Sequence, residues 1–209
     1  MMGAPAKRVV VLISGNGSNL QAILDACRDG TLQDTRVVSV VSNRKKAFGR
    51  VRADRAGVDN IYYPLRPFLR DHPDADRTTY DRVLASRIAV LSPDLIVLAG
   101  WMHILSAAFL DAVPCPVLNL HPALPGAFPG TNAIGRALEA AQAGTLDHTG
   151  VMVHHVIPEI DAGPVVATAT VPIHADDDLA TLTTRVHAVE HSLLVHAVSK
   201  VLRPPEESP

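Results

Sequence analysis

Three short apolar runs constrain the fold of this chain more than any other feature. They are RVVVLI at 8–13, RVVSVV at 36–41 and DLIVLA at 94–99, and each is rich in β-branched residues. Runs of this kind are typical of strands that are buried on both faces of a parallel sheet. The segments between them are long enough for helices, so the sequence predicts an α/β fold with a doubly wound, mostly parallel sheet. In such a sheet the ligand crevice lies at the carboxyl ends of the strands.

The remaining pattern predicts the helices and a change of architecture after residue 148. Four helices are expected over residues 18–30, 47–56, 77–91 and 132–143. Two further strand-like stretches, 149–157 and 164–173, predict a hairpin-like addition to the sheet. A long final helix is expected over 176–202, because acidic residues at its start suit the positive end of the helix dipole.

The composition favours one globular domain that binds small ligands. The chain has 209 residues, of which 47% are hydrophobic and 19% charged, and a formal net charge of -2. That charge, without a long basic block, argues against a nucleic-acid partner. No apolar run approaches the roughly 20 residues of a membrane span, so no membrane partner is expected. Cys27 and Cys115 lie far apart, as in reduced cytosolic proteins, so we expect a cytoplasmic protein. The sequence makes no prediction of oligomeric state.

A glycine-containing loop stands directly between the first predicted strand and the first predicted helix. It consists of Gly15, Asn16, Gly17, Ser18 and Asn19. Backbone N–H groups at a helix start can hold an anion, and the glycines allow a phosphate to approach closely. The loop therefore predicts a phosphate site, although a plain strand-to-helix turn gives the same pattern.

A dinucleotide site is a second functional interpretation of this loop. It needs a third glycine where the chain has Leu20, and an acidic residue after the second strand where the chain has SNRKK at 42–46. Both differences argue against NAD. An NADP-dependent reductase remains an alternative, because Arg44, Lys45 and Lys46 can meet a 2′-phosphate, or they can form a solvated turn.

Two polar side chains interrupt the apolar run VLNLH at 117–121. If this run is a strand, Asn119 and His121 share one face, and Pro122 places both near the carboxyl end of the strand. An amide and an imidazole can each donate a hydrogen bond to a developing oxyanion. A carboxylate would raise the pKa of the imidazole, and Asp161 in PEIDAG is the candidate. Both polar residues can instead satisfy backbone groups of the loop.

The string HAVEH at 187–191 matches the His-x-x-Glu-His pattern of inverted-motif zinc peptidases. The apolar stripe of the final helix places Glu190 on its flank and directs His187 and His191 towards solvent. We therefore expect no metal site.

Four strings in order, VLISGNGSNLQAIL, VLAGWMHIL, LNLHPALPG and EIDAGPV, resemble the glycinamide ribonucleotide formyltransferases of purine biosynthesis. The resemblance implies a Rossmann-like formyltransferase fold. It also implies transfer of the formyl group of 10-formyltetrahydrofolate, a co-substrate, to the amine of glycinamide ribonucleotide, with no metal and no tightly bound cofactor. Asn119, His121 and Asp161 fall on the catalytic positions of the family. Protonated His121 and Asn119 would stabilise the oxyanion, and Asp161 would keep His121 charged and help relay a proton.

The resemblance also implies binding roles. The loop at 15–19 would hold the substrate phosphate, Glu190 the ribose, and Arg77 the glutamate tail of the folate. The folate pocket would be formed by Trp101, Met102, His103, Ile104, Leu105, Val156, Ile157, Pro158, Glu159 and Ile160. A single domain over 1–209 would then contain a phosphate-binding half at 8–113, a catalytic and folate-binding half at 114–203, and a tail at 204–209.

Several residues depart from the pattern of this family. His103 stands where many members have Arg, Met152 where they have Ser, and Pro125-Gly126 where a Leu-Pro pair is common. Ala162 replaces a glycine and is expected to tighten the loop that carries Asp161.

Two activities on the same fold remain open alternatives: hydrolysis of 10-formyltetrahydrofolate, and a non-catalytic folate or nucleotide sensor. A hydrolase would not need the phosphate loop. The related enzyme that formylates initiator methionyl-tRNA needs an additional nucleic-acid-binding domain, for which this length and charge leave no room.

Overall fold

A computed structural model of the protein describes residues 5–203, in which seven strands form one sheet. The strands are β1 (Lys7–Ile13), β2 (Thr35–Ser42), β3 (Asn60–Tyr62), β4 (Leu95–Leu98), β5 (Val117–His121), β6 (His148–His155) and β7 (Val165–Pro172). Their spatial order is β3-β2-β1-β4-β5-β6-β7. The first five strands are parallel, whereas β6 is antiparallel to β5 and β7 is antiparallel to β6. The predicted mostly parallel sheet with a hairpin-like addition is confirmed.

Seven helices connect and cover the strands in the described part of the chain. They are α1 (Ser18–Asp29), α2 (Phe48–Arg55), α3 (Leu65–Asp71), α4 (Arg77–Ala89), α5 (Ala107–Leu110), α6 (Ala133–Gln142) and α7 (Leu179–Leu202). The five predicted helices are present, each within three residues of its predicted bounds. The last one begins later than predicted because Asp178 is its N-cap, accepting a hydrogen bond of 2.8 Å from the Thr181 N–H. The predicted tail at 204–209 lies outside the described residues.

The core consists of two apolar layers, one on each face of the sheet. Successive side chains of β1 alternate between them: Val9, Val11 and Ile13 belong to one layer, and Val10 and Leu12 to the other. Helices α1 and α7 cover the first face, and α4 and α5 cover the second. Burying each such side chain stabilises the fold by about 1.5–3 kcal/mol. Continuous apolar runs were therefore correct indicators of strands with two buried faces.

The strand order reverses direction between β1 and β4. The chain builds outward from β1 through β2 to β3, and then returns to place β4 and β5 on the other side of β1. The loops that follow β1, β4 and β5 consequently open at the same edge of the sheet, which is where doubly wound folds bind ligands. No helix between residues 5 and 203 is long and apolar enough to cross a membrane.

Candidate active site

A cavity of about 440 Å³ lies at this edge of the sheet. Its lining contains every site residue predicted from the sequence except Arg77. The phosphate loop after β1 forms part of it, the segments 101–105 and 156–161 form another part, and β5 contributes Asn119 and His121. With Glu190 of α7, residues from five separate regions of the sequence therefore meet in one place.

The loop at 15–19 runs directly into α1, with Gly17 in the left-handed conformation at φ 75°. A Cβ atom on Gly17 would lie 2.6 Å from the Cα of Gly49, so the loop backbone touches the first turn of α2. The Gly49 N–H donates to the Gly15 carbonyl at 3.1 Å, which joins the two segments. No described side chain caps the start of α1, so its first N–H groups are left for an anion.

Arg52, which the sequence did not single out, fixes the outer side of the phosphate loop. Its Nε donates to the carbonyl of Asn16 at 3.0 Å, and its Nη2 donates to the Asn16 side-chain oxygen at 3.0 Å. Its Nη1 reaches Gln21 Oε1 in α1 at 3.2 Å. Arg52 thus ties α2 to both the loop and the helix that follows.

Glu190 of α7 joins the phosphate loop from the other side. Asn19 Nδ2 donates to Glu190 Oε2 at 2.8 Å, and the glutamate is 4% exposed. Burial raises the pKa of Glu190, and the hydrogen bond from Asn19 offsets part of that rise. His187 is exposed, as predicted, but it also lines the cavity, which was not predicted. The expectation for His191 is wrong: its ring is half-buried, and its Nε2 is buried with no partner among residues 5–203.

The HAVEH string does not form a zinc site in the part of the chain that the structure describes. No group of three or more histidine, cysteine, aspartate or glutamate side chains suited to a metal occurs among these residues. Glu190 instead forms its hydrogen bond with Asn19, as part of the cavity wall.

Asn119, His121 and Asp161 come together in the cavity. Asn119 Nδ2 donates to Asp161 Oδ1 at 3.2 Å, and His121 Nδ1 lies 3.4 Å from Asp161 Oδ2. The imidazole is 4% exposed. Alternation along β5 places the amide and the imidazole on one face, as predicted, and the loop after β6 brings the carboxylate to both.

The ionisation of this cluster differs from the expectation that Asp161 would keep His121 protonated. Burial lowers the pKa of His121, and the nearby Asp161 and the Phe128 carbonyl offset only part of that effect. His121 Nε2 lies 3.0 Å from the Phe128 carbonyl, which can only accept, so Nε2 carries the proton. Burial alone would raise the pKa of Asp161, but the nearby His154 ring, the hydrogen bond from the Gly130 N–H and the nearby His121 bring it below its usual range. The lowered pKa therefore favours a neutral imidazole in the free site, whereas the Phe128 carbonyl at Nε2 and the Asp161 carboxylate at Nδ1 both favour its protonation.

His154 of β6 is a further member of the cluster. The residue types and their spacing in the sequence had assigned no role to His154. It pairs with Asn119 across the antiparallel ladder and is 2% exposed. Its Nδ1 donates to the His155 carbonyl at 2.9 Å, so its Nε2 can accept from Asn119 Nδ2 at 3.2 Å. His154 thereby sets the orientation of the Asn119 amide. His155 is not in the cavity lining, because adjacent residues of a strand point to opposite faces.

The loop at 122–131 closes over this cluster. Pro125-Gly126 forms a tight turn, in which Gly126 has φ 78° and the Ala127 N–H donates to the Leu124 carbonyl at 3.0 Å. Further along the same loop, the Gly130 N–H donates to Asp161 Oδ2 at 2.8 Å. The unusual Pro-Gly pair therefore shapes a loop that contacts the Asp161 carboxylate.

The loop that carries Asp161 requires a glycine at position 163 rather than 162. Asp161 itself has the left-handed φ of 53°, and Ala162 does not adopt a positive φ. A Cβ atom on Gly163 would collide with the carbonyl oxygen of His155. The expected tightening by Ala162 therefore has no basis in the backbone conformation.

The segment 101–105 forms an apolar wall of the cavity. The Met102 N–H donates to Ser14 Oγ at 2.9 Å, which attaches this wall to the end of β1. Three large apolar side chains in the lining are exposed: Met102 by 54%, Ile104 by 62% and Ile160 by 50%. Exposed apolar groups around a cavity mouth indicate a ligand with a sizeable apolar part.

Two residues predicted to contact folate occupy different positions relative to the cavity. The ring of His103 lines it and lies edge-on to Trp101 at 5.5 Å, and burial lowers its pKa. Arg77 lies outside the lining: its Nε donates to Asp81 Oδ1 at 3.0 Å, and its Nη2 donates to the Ile104 carbonyl. Arg77 thus supports the apolar wall from outside the cavity, through its hydrogen bond to the Ile104 carbonyl.

A family model described as formyl transferase matches residues 7–198. The chain belongs to the formyl transferase family. It is 47% identical to the phosphoribosylglycinamide formyltransferase of Schizosaccharomyces pombe, over 93% of this chain and 96% of that protein. It is 44% identical to the enzyme of the same name from Dictyostelium discoideum, over 91% and 95%.

The fold of this formyl transferase also matches solved structures. Glycinamide ribonucleotide transformylase 1 from Symbiobacterium toebii superposes with a TM-score of 0.83 at 39% identity, covering 92% of this chain and 86% of that one. The resemblance stated from the sequence and the predicted fold class are confirmed. The named relatives are formyltransferases, so the reductase, hydrolase and sensor interpretations gain no support from them.

Proposed function

We propose that this formyl transferase transfers the formyl group of 10-formyltetrahydrofolate to the amine of glycinamide ribonucleotide, in purine biosynthesis. The observation that carries the proposal is one cavity that contains a phosphate-binding helix start, an apolar wall and an Asn–His–Asp cluster. The names of the relatives supply the acceptor and the transferred group, and the sequence resemblance implies the folate co-substrate. The co-substrate is consumed in the reaction, and the proposal includes no metal and no tightly bound cofactor.

The phosphorylated acceptor is proposed to lie along the wall formed by the phosphate loop and α7. Its phosphate would accept hydrogen bonds from the backbone at 15–19, where the start of α1 favours negative charge. Glu190 lies next to Asn19 and can accept a hydrogen bond from a sugar hydroxyl. The amine would then point along the cavity towards Asn119. The half at 8–113 thus provides the phosphate site, and the half at 114–203 provides the catalytic residues.

The folate is proposed to lie between segments 101–105 and 156–160. Its pterin ring would contact the exposed apolar side chains there, and backbone groups of both segments can bind its polar edge. Arg77 is held by Asp81 and the Ile104 carbonyl, so contact with the glutamate tail requires a shift of its guanidinium.

The cluster can stabilise the intermediate of direct attack. The amine forms a bond to the formyl carbon and gives a tetrahedral oxyanion. Asn119 Nδ2 and His121 Nδ1 converge on the two oxygens of Asp161, at 3.2 and 3.4 Å. A formyl oxygen bound beside this carboxylate lies within reach of both nitrogens. Asn119 Nδ2 is a donor fixed in advance, and His121 Nδ1 becomes a donor once it gains a proton; donors around a developing charge are a major source of catalysis.

His121 is proposed to gain its proton during the reaction, because the free site favours the neutral form. Nδ1 of the Nε2–H tautomer is a proton acceptor, and it can receive the proton of the attacking amine through water. Asp161 and the oxyanion both stabilise the resulting imidazolium. The oxyanion then collapses to a carbonyl, the bond from carbon to the folate nitrogen breaks, and that nitrogen takes the electron pair and the proton.

One assay tests the proposal and separates it from both alternatives. Purified protein is incubated with 10-formyltetrahydrofolate, with and without glycinamide ribonucleotide, and release of tetrahydrofolate is followed by absorbance. We expect release that depends on the acceptor. Release without the acceptor would indicate a hydrolase, and binding of both ligands without release would indicate a sensor. The unpaired Cys27 and Cys115 support a reducing, cytoplasmic location for the reaction.

A further inference from the structure

Arg136 of α6 makes a set of contacts that the proposed chemistry does not use. Its Nη2 donates to the carbonyls of Phe128 and Pro129, at 2.7 Å in both cases. Its guanidinium also lies over the Phe128 ring, 5.7 Å from the centroid. One half-buried cation therefore holds two successive carbonyls of the loop that closes over the catalytic cluster.

The backbone that Arg136 holds is in an unfavourable conformation. Phe128 has φ 47°, a left-handed backbone conformation that is strained for a bulky residue. Such a residue persists only when its surroundings fix it. The Phe128 carbonyl accepts from both Arg136 Nη2 and His121 Nε2, and these two donors fix its orientation.

The same short segment contacts two catalytic side chains. The Phe128 carbonyl accepts from His121 Nε2 at 3.0 Å, and the Gly130 N–H donates to Asp161 Oδ2 at 2.8 Å. The first contact sets which imidazole nitrogen carries the proton, and the second sets the direction of the carboxylate. Together they direct His121 Nδ1 at Asp161 Oδ2.

We propose that Arg136 is a positioning residue, which holds segment 128–130 so that His121 stays in its Nε2–H tautomer with Nδ1 facing Asp161. Its effect on turnover rests on the proposed function, whereas its effect on the imidazole does not. Arg136 is not expected to contact either substrate. Its removal should leave two carbonyls without their donor and release the strained peptide at Phe128.

The structure distinguishes this role from a simple effect of charge. The ionisable groups that act on His121 are Asp161, His154 and Arg136, and the cation opposes protonation of the imidazole. If charge alone mattered, removing Arg136 would raise the pKa of His121. If position matters, its removal would withdraw the Phe128 carbonyl and Asp161, which both favour protonation, and the pKa would fall.

The test compares the wild-type protein with Arg136→Met and Arg136→Lys. Nitrogen-15 NMR of the imidazoles gives the tautomer and the pKa of His121, whose signals are assigned with a His121→Gln variant. Arg136→Met is expected to shift His121 towards the Nδ1–H tautomer and to lower its pKa. Arg136→Lys keeps a cation that can reach the carbonyls, so its Nε2–H population should lie between the other two.

Arg8→Met is the matched control. Arg8 also holds a backbone carbonyl, because its Nε and Nη2 donate to Leu91 at 2.9 and 2.7 Å, at the opposite end of β1 from the cavity. It should lose stability but keep the tautomer and pKa of His121. In the formyl transfer assay, Arg136→Met should lower kcat by about 10- to 100-fold and change each KM less than about threefold, as expected for misaligned catalytic groups.

The outcomes separate this proposal from the proposed function. An unchanged tautomer with an unchanged or raised His121 pKa in Arg136→Met would overturn the positioning role, even in an active enzyme. If Arg136→Met does not fold, the same shifts at smaller amplitude are expected in Arg136→Lys, and their absence there would also overturn it. Absence of formyl transfer in the wild type would instead contradict the proposed function. The tautomer and pKa of His121, measured by NMR, would still test the positioning role of Arg136.

Discussion

Asp161→Asn tests the central electrostatic step with little change in shape. The amide keeps one oxygen that can accept from the Gly130 N–H, which lies 2.8 Å from Asp161 Oδ2 in the wild type. Its nitrogen takes the place of Oδ1, so the hydrogen bond from Asn119 Nδ2 is lost. The negative charge beside His121 Nδ1 is lost. The substitution therefore removes the charge proposed to stabilise the imidazolium, while the contact with the Gly130 N–H is retained.

The distance between the two groups sets the size of the effect. At the 3.4 Å between His121 Nδ1 and Asp161 Oδ2, with an effective dielectric constant of about 20, the attraction is about 5 kcal/mol. This is an upper bound, because a solvated substrate and bound water screen the pair in the working enzyme. At about 1.4 kcal/mol per factor of ten, we expect kcat to fall by roughly 100- to 1000-fold.

The assay is acceptor-dependent release of tetrahydrofolate at saturating concentrations of both substrates. Each KM should change much less than kcat, because the lost interaction develops only in the transition state. Asp177→Asn is the control, since Asp177 pairs with Arg185 at the start of α7, outside the cavity. If Asp161→Asn retained kcat within about fivefold of the wild type while folded, Asp161 could not be the partner of a catalytic imidazolium.

Three further predictions concern binding and stability. Ser18→Ala combined with Asn19→Ala should weaken binding of the phosphorylated acceptor at least tenfold more than binding of the folate, measured by calorimetry; equal losses would contradict the placement of the phosphate. Gly163→Ala should lower the free energy of unfolding by about 1–3 kcal/mol in urea titrations, because its Cβ collides with a backbone carbonyl; an unchanged midpoint would contradict the described loop. Hydrogen bonds from Arg185 lower the pKa of Asp177 to about 2, so the stability that this carboxylate contributes is present above the unfolded-state pKa of about 4 and is lost as pH falls towards 2. The difference in unfolding free energy between wild type and Asp177→Asn should therefore shrink over that range, and a constant difference would contradict the pairing.

The elements predicted from the sequence are those with a strong local pattern. The strand β1 and the helix α1 follow from a β-branched run and a helical spacing of apolar residues, and both are present at the predicted positions. β3 and α5 were not predicted. They have only three and four residues, and they form through pairing and packing with neighbouring elements. Their pairing and packing are tertiary effects that no short window of sequence contains.

The site could be predicted where one residue type has a clear chemical use at the end of a strand. Asn119 and His121 were identified in this way, and Asp161 was named as their carboxylate. Arg52 and Arg136 were not, because an arginine on a helix is usually solvated, and both act on loops through hydrogen bonds to backbone. The low pKa of His121 was also missed, since burial depends on what packs around the ring.

The contact between Gly17 and Gly49 limits how this chain can change during evolution. Steric conflicts between two positions are commonly relieved when one residue becomes smaller as the other grows. Here both partners already have no side chain, and a Cβ on Gly17 would lie 2.6 Å from the other backbone. Neither position therefore has a compensating substitution at the other. A side chain gained at Gly17 must push α2 away from the loop. Binding of a ligand to the loop would then have to bring the two segments back together, and the free energy of that movement would weaken the binding.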